Sequence, residues 1–314
     1  MTVSRYFRTL RPEAAHELDV VMATARRTVD PLLLDLISLS IAQLIGHAPA
    51  AVPGTYPSSD QLTELERDCI AFTEQFVIDV SGISDAQREA IRGYFPGDRA
   101  RLFASALYVT EFTQRLELMA PRLLPSPAAE LLDAGGMVDV VEVSTETDEL
   151  TVVDALRGYQ DAVMRGGDLD PVVTELVRLR CARTHDCRIC KTLRLDSARA
   201  AGVDDDMTAK VDFYEETDLA EPLKLALRIT DAFITRPDTM SEQTALAARV
   251  HYTPEQLEEM CLDITKWSTQ KIHVSLGTDG ADRLPVGADG VSYFDFGDDG
   301  AVAGYSPTPS TIST

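Results

Sequence analysis

Apolar residues recur at helical spacing over most of this chain. The segments Leu223–Ile234 and Leu257–Trp267 both follow the i, i+3, i+4, i+7 pattern that marks one buried helix face. Helix-start signals precede several such segments, with Asp-Pro at Asp30 and at Asp170 and a capping-box spacing that begins at Ser84. These patterns predict an all-α fold, in which the Met, Trp and Cys members of the apolar stripes belong to the core.

The chain also resembles itself. DPLLLDLISLSIAQ from Asp30 matches DPVVTELVRLRCAR, which begins 140 residues later at Asp170. CIAFTEQFVIDVSGISDAQ from Cys69 matches ALRITDAFITRPDTMSEQ, and TQRLEL from Thr113 matches TQKIHV from Thr269. Because the three matches keep their order, we predict two tandem copies of one helical unit.

Four regions follow from these matches. An N-terminal copy without a CxxC motif covers 1–120, a linker covers 121–150, and a copy with the CxxC motif covers 151–276. In the linker, which is rich in Pro and Gly, we expect a short strand at Val138–Val143. The Gly- and Asp-rich tail at 277–314 is irregular, and its two aromatic segments flank a GDDG turn that predicts a hairpin before a disordered end.

Charge and composition exclude several classes of function. The 314 residues include 29 basic and 51 acidic side chains, a net charge of −22. So acidic a surface would repel nucleic acid and anionic membranes, and we expect neither as a partner. No apolar run approaches the roughly 18 residues of a membrane span, and no secretory h-region is visible, so we expect a cytoplasmic protein.

The candidate chemistry lies in two cysteines three residues apart, Cys187 and Cys190. On a helix they share one face, and an N-cap at Asp186 would place Cys187 where the helix dipole stabilises a thiolate. We therefore expect Cys187 to be the more exposed sulfur and Cys190 to lie one turn deeper. A zinc site and inert thiols are alternatives; zinc is the weaker, because no second ligand pair is clustered nearby. Cys69 and Cys261 fall on core stripes.

Three charged or titratable residues surround the pair. Arg194 would share its helix face and favour a thiolate, although it is equally consistent with a surface charge or with an anchor for an anionic substrate. Glu175 would exchange protons with the site or serve as an ion-pair partner. His185 flanks the pair and titrates near neutral pH. No flavin, haem or nicotinamide motif is present, so we expect neither a cofactor nor a metal.

The order Glu175-x11-Cys187-x2-Cys190, followed by a small-residue helix to Gly202, resembles the alkylhydroperoxidase D-like (AhpD-like) branch of the carboxymuconolactone decarboxylase family. The resemblance spans about 151–276 and is weaker over 13–120. It implies an all-α fold, subunits that assemble into homo-oligomeric rings, and peroxide reduction by a cysteine pair. Glu175 matches the proton-relay glutamate of the family, and the two cysteines match its catalytic pair. The relay histidine should fall at position 194, which is Arg194 in this chain.

The sequence thus predicts a thiol-dependent oxidoreductase, of peroxidase or disulfide-reductase type, acting through Cys187 and Cys190 on a small hydroperoxide or disulfide. A dithiol donor, lipoyl or thioredoxin-like, would reopen the resulting disulfide. A redox-sensing or structural scaffold without turnover is the first alternative, favoured by Arg194 at the histidine position. A cofactor-free lyase of the carboxymuconolactone decarboxylase type is the second alternative.

Overall fold

The computed structural model describes residues 3–47, 60–124, 150–282 and 284–309. The chain divides into two compact units, Met1–Tyr159 and Gln160–Thr314. The division lies inside a helix, Val152–Met164, rather than within the predicted linker at 121–150. The strand predicted at Val138–Val143 lies outside the described residues.

The first unit is built from helices. Their bounds are α1 Pro12–Thr28, α2 Pro31–Ile45, α3 Glu64–Ile78, α4 Asp85–Tyr94 and α5 Arg99–Leu123, and short 3-10 turns occupy Val3–Tyr6 and Val80–Gly82. Helix α2 packs on α3, while α1 packs on α5. The Asp30 carboxylate accepts hydrogen bonds from the first free N–H groups of α2, at Leu32 and Leu33, as the Asp-Pro signal predicts. The predicted capping box at Ser84 is also present.

The second unit is also mainly helical, which confirms the all-α prediction. The helix α6 Val152–Met164 crosses the division into it. Its other helices are α7 Pro171–Thr184, α8 Arg188–Thr192, α9 Asp196–Ala200, α10 Asp205–Ala209, α11 Glu221–Ile234, α12 Glu242–His251, α13 Pro254–Ser268 and α14 Lys271–Leu276, with 3-10 turns at Tyr214–Glu216 and Pro237–Thr239. Helix α7 packs between α11 and α13. The Asp170 carboxylate caps α7, and Thr253 with Gln256 forms a capping box on α13.

A small sheet completes the second unit. Its strands are β1 Leu193–Leu195, β2 Ser292–Phe296 and β3 Val302–Ser306, in the order β1-β2-β3. Strands β2 and β3 form the antiparallel hairpin that the tail sequence predicts, whereas the parallel pairing of β1 with β2 was not predicted. Residues 310–314, in the end predicted to be disordered, lie outside the described residues.

The order of elements after α3 in the first unit is similar to the order after α11 in the second unit. In the first unit, α3 is followed by the 3-10 turn Val80–Gly82 and a helix capped by Ser84. In the second unit, α11 is followed by the 3-10 turn Pro237–Thr239 and a helix capped by Ser241. This is the region of the second sequence match, while the tandem repeat as a whole stays a prediction.

The described helices, taken one at a time, fall short of what a lipid bilayer requires of a span. None of them alone is long and apolar enough to cross a membrane. Helices α1 and α2 meet at a bend of 119° and reach the required length and composition only when taken as a pair.

Candidate functional site

Cys187 and Cys190 form a disulfide at the start of α8, with their Cα atoms 5.3 Å apart. Cys187 is itself the N-cap of this five-residue helix, and its Sγ accepts a hydrogen bond from the N–H of Cys190 at 3.2 Å. The predicted N-cap at Asp186 is therefore wrong by one residue. Asp186 instead takes a left-handed backbone conformation, φ 51°, which turns the chain between α7 and α8.

The predicted order of exposure is also wrong. Cys187 is fully buried, whereas Cys190 is 7% exposed and contacts a cavity. The reason lies in the turn at Asp186, which folds the chain back so that the N–H of Cys187 bonds to the carbonyl of Ala182 in α7 at 3.0 Å. Cys190 is thus the sulfur that a molecule in the cavity would meet first.

The cavity has a volume of about 140 Å³ and lies wholly within the second unit. Helices α6, α7, α8 and α13, strand β1 and the tail hairpin all contribute to its wall. Polar and charged residues form part of the wall, and the hairpin adds aromatic rings. The residues that line the cavity are Gln160, Asp161, Arg178, Cys190, Leu193, Lys266, Trp267, Gln270, Phe294, Phe296, Gly300, Val302 and Tyr305. The tail that the sequence shows only as a hairpin is therefore a wall of the site.

Glu175 is buried and bound to Arg178, a residue that the sequence analysis did not identify. Arg178 Nε and Nη2 donate to the two carboxylate oxygens of Glu175 at 2.6 and 2.7 Å, and both side chains are almost fully buried. The same guanidinium donates to the carbonyls of Cys190 at 3.0 Å and Leu193 at 2.5 Å. The ion-pair alternative for Glu175 is thus the observed one, and Arg178 links this ion pair to the backbone at Cys190 and Leu193. The spacing Glu175-x-x-Arg178 was the available sequence signal.

Arg194 does not share a helix face with the cysteines, so that prediction is wrong. Helix α8 ends at Thr192, and Arg194 stands in β1, where its Nη1 donates to the carbonyls of Lys191 and Leu193, both at 2.8 Å. It is not among the residues that line the cavity. Burial and the neighbouring charge of Arg178 lower the pKa of Arg194 below its usual value.

His185 lies at the end of α7 and is 6% exposed, away from the cavity lining. Its Nε2 is 3.1 Å from the hydroxyl oxygen of Ser268 in α13. A buried imidazole held in this way joins two helices, and the structure does not bring it into the cavity beside Cys190.

The first N–H groups of α8 are already occupied by Asp279. The carboxylate of Asp279 accepts from the N–H of Arg188 at 2.9 Å and from its guanidinium at 2.8 Å, and its carbonyl accepts from the N–H of Ile189 at 3.1 Å. Burial alone would raise the pKa of Asp279, but the side-chain and backbone hydrogen bonds from Arg188 hold it below its usual value. The positive end of α8 is therefore neutralised by a fixed carboxylate.

Lys266 and Trp267 form the α13 side of the cavity. The Lys266 Nζ lies 3.1 Å from the centroid of the Trp267 ring and 4.1 Å from that of Phe296. Burial lowers the pKa of Lys266 well below its usual value. The stripe that ends at Trp267 was interpreted as core, but Trp267 is only partly buried, and its indole N–H has no hydrogen-bond partner in the described ranges. The sequence gives no signal for Lys266 beyond its position beside Trp267.

The remaining cysteines are structural. Cys69, Cys181 and Cys261 are fully buried, as the sequence predicts for Cys69 and Cys261. Burial raises the pKa of each thiol to about 12, so none is a thiolate at neutral pH. Within the described ranges, no group of three or more His, Cys, Asp and Glu side chains is placed to hold a metal ion.

Similar proteins were found among mycobacterial sequences. The chain is 33% identical over 230 residues to the protein described as uncharacterized protein Rv2313c of Mycobacterium tuberculosis strain H37Rv, which covers 71% of this chain and 78% of the relative. The uncharacterized protein MT2376 of the CDC 1551 strain matches with the same values. No family model matches the chain. No solved structure matches it significantly.

Proposed function

The chain belongs to the family of the mycobacterial protein Rv2313c, and for this member we propose a thiol-dependent oxidoreductase that reduces hydroperoxides or disulfides through Cys187 and Cys190. The observation that carries the proposal is the disulfide itself, which joins a buried sulfur to one that contacts a cavity. The three other cysteines are buried with raised pKa values, so the redox chemistry is confined to this pair.

The burial of the two sulfurs suggests the order of events. With the pair reduced, the thiolate of Cys190 attacks the terminal oxygen of a hydroperoxide, the O–O bond breaks, and the alkoxide leaves and is protonated to the alcohol. Cys190 becomes a sulfenic acid. The thiolate of Cys187 then attacks the Cys190 sulfur, the disulfide forms, and hydroxide leaves as water once it is protonated. An external dithiol reopens the disulfide by thiol exchange.

The surroundings of the pair support exchange without large backbone movement. Arg178 holds the carbonyls of Cys190 and Leu193 at the two ends of the turn, while Asp279 holds the N–H groups of Arg188 and Ile189. During thiol exchange the S–S bond breaks and forms while these backbone hydrogen bonds stay in place. The resemblance to the AhpD-like branch supports the same reaction class, and it is the source of the proposed lipoyl or thioredoxin-like donor and homo-oligomer.

The test is consumption of cumene hydroperoxide and of a small disulfide in the presence of a dithiol donor. Wild type should turn over, Cys190→Ser should be inactive, and Cys187→Ser should stop at a sulfenic acid or mixed disulfide that mass spectrometry detects at Cys190. Cys181→Ala, which removes a buried thiol outside the cavity, is the matched control and should keep its activity. Unchanged turnover in both Cys187→Ser and Cys190→Ser would contradict the proposal.

One observation favours a second candidate, a redox-sensing pair without peroxide turnover. The two relay positions implied by the resemblance are engaged elsewhere, because Glu175 is bound to Arg178 and Arg194 donates to backbone carbonyls. For a sensor, the pair should still equilibrate with a dithiol buffer while hydroperoxide is not consumed. The same assays therefore distinguish the two candidates.

A further inference from the structure

The cavity contains few groups that can carry a proton to or from a substrate. Its titratable members other than Cys190 are Asp161, Arg178, Lys266 and Tyr305. Arg178 is held in its buried ion pair with Glu175 and in hydrogen bonds to two backbone carbonyls. Burial raises the pKa of Tyr305, so the phenol stays protonated. Neither residue is suited to accept and return a proton during a catalytic cycle, which leaves Asp161 and Lys266 among the titratable groups of the wall.

Lys266 differs in its surroundings from three of the other four lysines of the chain, Lys191, Lys210 and Lys224. Lys191 and Lys210 form ion pairs with aspartates, and Lys224 donates to two backbone carbonyls. Lys266 Nζ instead lies against the rings of Trp267 and Phe296, and no carboxylate in the described part of the chain forms an ion pair with it. Lysines that act as a base or a nucleophile are commonly found in such surroundings, next to apolar groups and without an ion-pair partner.

We propose that Lys266 transfers the proton in thiol exchange at Cys190, a role that rests on the function proposed above. Charged groups on its own helix and on two neighbouring helices, α6 and α7, influence the charge of Lys266. Asp263 on its own helix, Asp161 on α6 and the ring faces of Trp267 and Phe296 favour the ammonium, while desolvation and Arg178 on α7 disfavour it. The lysine thus takes the place of the relay histidine that the AhpD-like resemblance would put at Arg194.

The exchange step balances with a dithiol as the reductant. The neutral amine of Lys266 takes the proton of the first donor thiol, whose sulfur attacks Cys190 Sγ; the S–S bond breaks and its electron pair goes to Cys187 Sγ. The second donor thiol then attacks the donor sulfur of the mixed disulfide and gives its proton to Cys187. The donor closes its own disulfide, and the released Cys190 sulfur takes the proton back from Lys266. Two electrons and two protons pass from donor to protein.

The test is the rate at which dithiothreitol reduces the disulfide, measured against pH in wild type and three variants. Lys266→Met keeps an apolar stem against Trp267 and should reduce about 100-fold more slowly at neutral pH, the usual size of a general-base contribution. Its rate should then follow the thiolate fraction of the donor alone. Lys266→Arg carries a fixed positive charge and cannot accept the proton of the donor thiol, so it should be equally slow. Lys210→Met, which removes two ion pairs outside the cavity, should match wild type.

Three outcomes would overturn the inference. An unchanged rate in Lys266→Met would show that the amine takes no part, and full rescue by Lys266→Arg would show that only the charge matters. If Lys266→Met does not fold, the pKa of Lys266 can be measured directly in wild type by NMR with ¹⁵N-labelled lysine. The Lys266 signal is assigned by its absence from the spectrum of Lys266→Arg. An ordinary pKa near 10.4 for Lys266 would also overturn the inference. A wild type that does not exchange with dithiol at all would instead overturn the proposed function.

Discussion

Each of the two units contains a buried Glu–Arg ion pair within one helix, but the two pairs differ in what else they hold. In the first unit, Arg115 donates to the carboxylate of Glu111 at 2.8 Å inside α5, and both side chains are almost completely buried. In the second unit, Arg178 binds Glu175 inside α7 and also donates to the carbonyls of Cys190 and Leu193. Among the contacts of the described residues, only those of the second pair reach the turn that contains the Cys187–Cys190 disulfide.

The two units begin their helices in the same way, and the second unit has further elements that surround the cysteines. Both units use Asp-Pro starts and Thr capping boxes to begin their helices. The second unit adds a helix of only five residues, the strand β1 after it and the tail hairpin, and these additions surround the cysteines. The proposed chemistry therefore depends on these added elements rather than on the helical pattern that both units share. Matched substitutions in the two units can separate the two contributions.

The largest expected effect is that of breaking each ion pair. Arg178→Met should destabilise the second unit by about 3–5 kcal/mol, because it leaves the buried carboxylate of Glu175 unpaired, and should also loosen the turn from Cys187 to Leu193. Arg115→Met should cost the first unit a similar amount and leave dithiol exchange unchanged. Denaturant unfolding followed by Trp267, the single tryptophan, reports the second unit. Equal effects of both substitutions on exchange would contradict the distinction between the pairs.

The next effect concerns two glycines with positive φ. A Cβ at Gly300 (φ 80°) would lie 2.0 Å from the carbonyl oxygen of Asp161, whereas a Cβ at Gly97 (φ 63°) would meet nothing within 4 Å. Gly300→Ala should therefore cost about 3 kcal/mol, from steric overlap added to backbone strain, and Gly97→Ala only about 1 kcal/mol. Thermal unfolding by circular dichroism measures both. A Gly300→Ala protein as stable as Gly97→Ala would show that the hairpin does not close on α6.

A smaller effect should depend on pH. The pKa of Asp279 is lowered in the folded protein, so its stabilisation is present above the unfolded value of about 3.9 and is lost as the pH falls through the lower folded value. Asp279→Asn should cost about 1–2 kcal/mol at pH 7, with a difference from wild type that shrinks below about pH 4. Asp79→Asn, which alters an exposed cap in the first unit, is the control. A pH-independent difference for Asp279→Asn would refute the ionic contribution.

The smallest effect should be shared by the two units. Thr63→Ala and Thr253→Ala each remove one capping box, of α3 and α13 respectively, and each should cost about 1 kcal/mol. Helix content and unfolding midpoints would measure both variants. Because α13 carries Lys266, a change in dithiol exchange for Thr253→Ala far beyond this stability loss would mean that the helix start positions the site.

Sequence reasoning succeeds here where the determining contacts are local. The Asp-Pro starts, the capping box at Ser84 and the tail hairpin each depend on residues within a few positions of one another, and all are confirmed. The position of the cysteine pair at a helix start is also confirmed, although the cap is Cys187 rather than Asp186.

The errors arise from contacts between distant residues. Arg194 was placed by extending α8 past Thr192, but the backbone there pairs with β2 residues about a hundred positions away, in a register that joins Arg194 to Tyr293. The burial of Cys187 follows from the left-handed turn at Asp186, which no short pattern indicates. Arg178 and Lys266 gain their roles only when α7, α13 and the hairpin come together around one cavity.

The most direct test of the account is the redox equilibrium of the cysteine pair. The full-length protein is equilibrated in a series of dithiol–disulfide buffers, alkylated and analysed by peptide mass spectrometry. We expect one two-electron transition in which Cys187 and Cys190 change together, while Cys69, Cys181 and Cys261 stay as thiols throughout. A pair that never closes in the most oxidising buffer, or never opens in the most reducing one, would contradict the central claim.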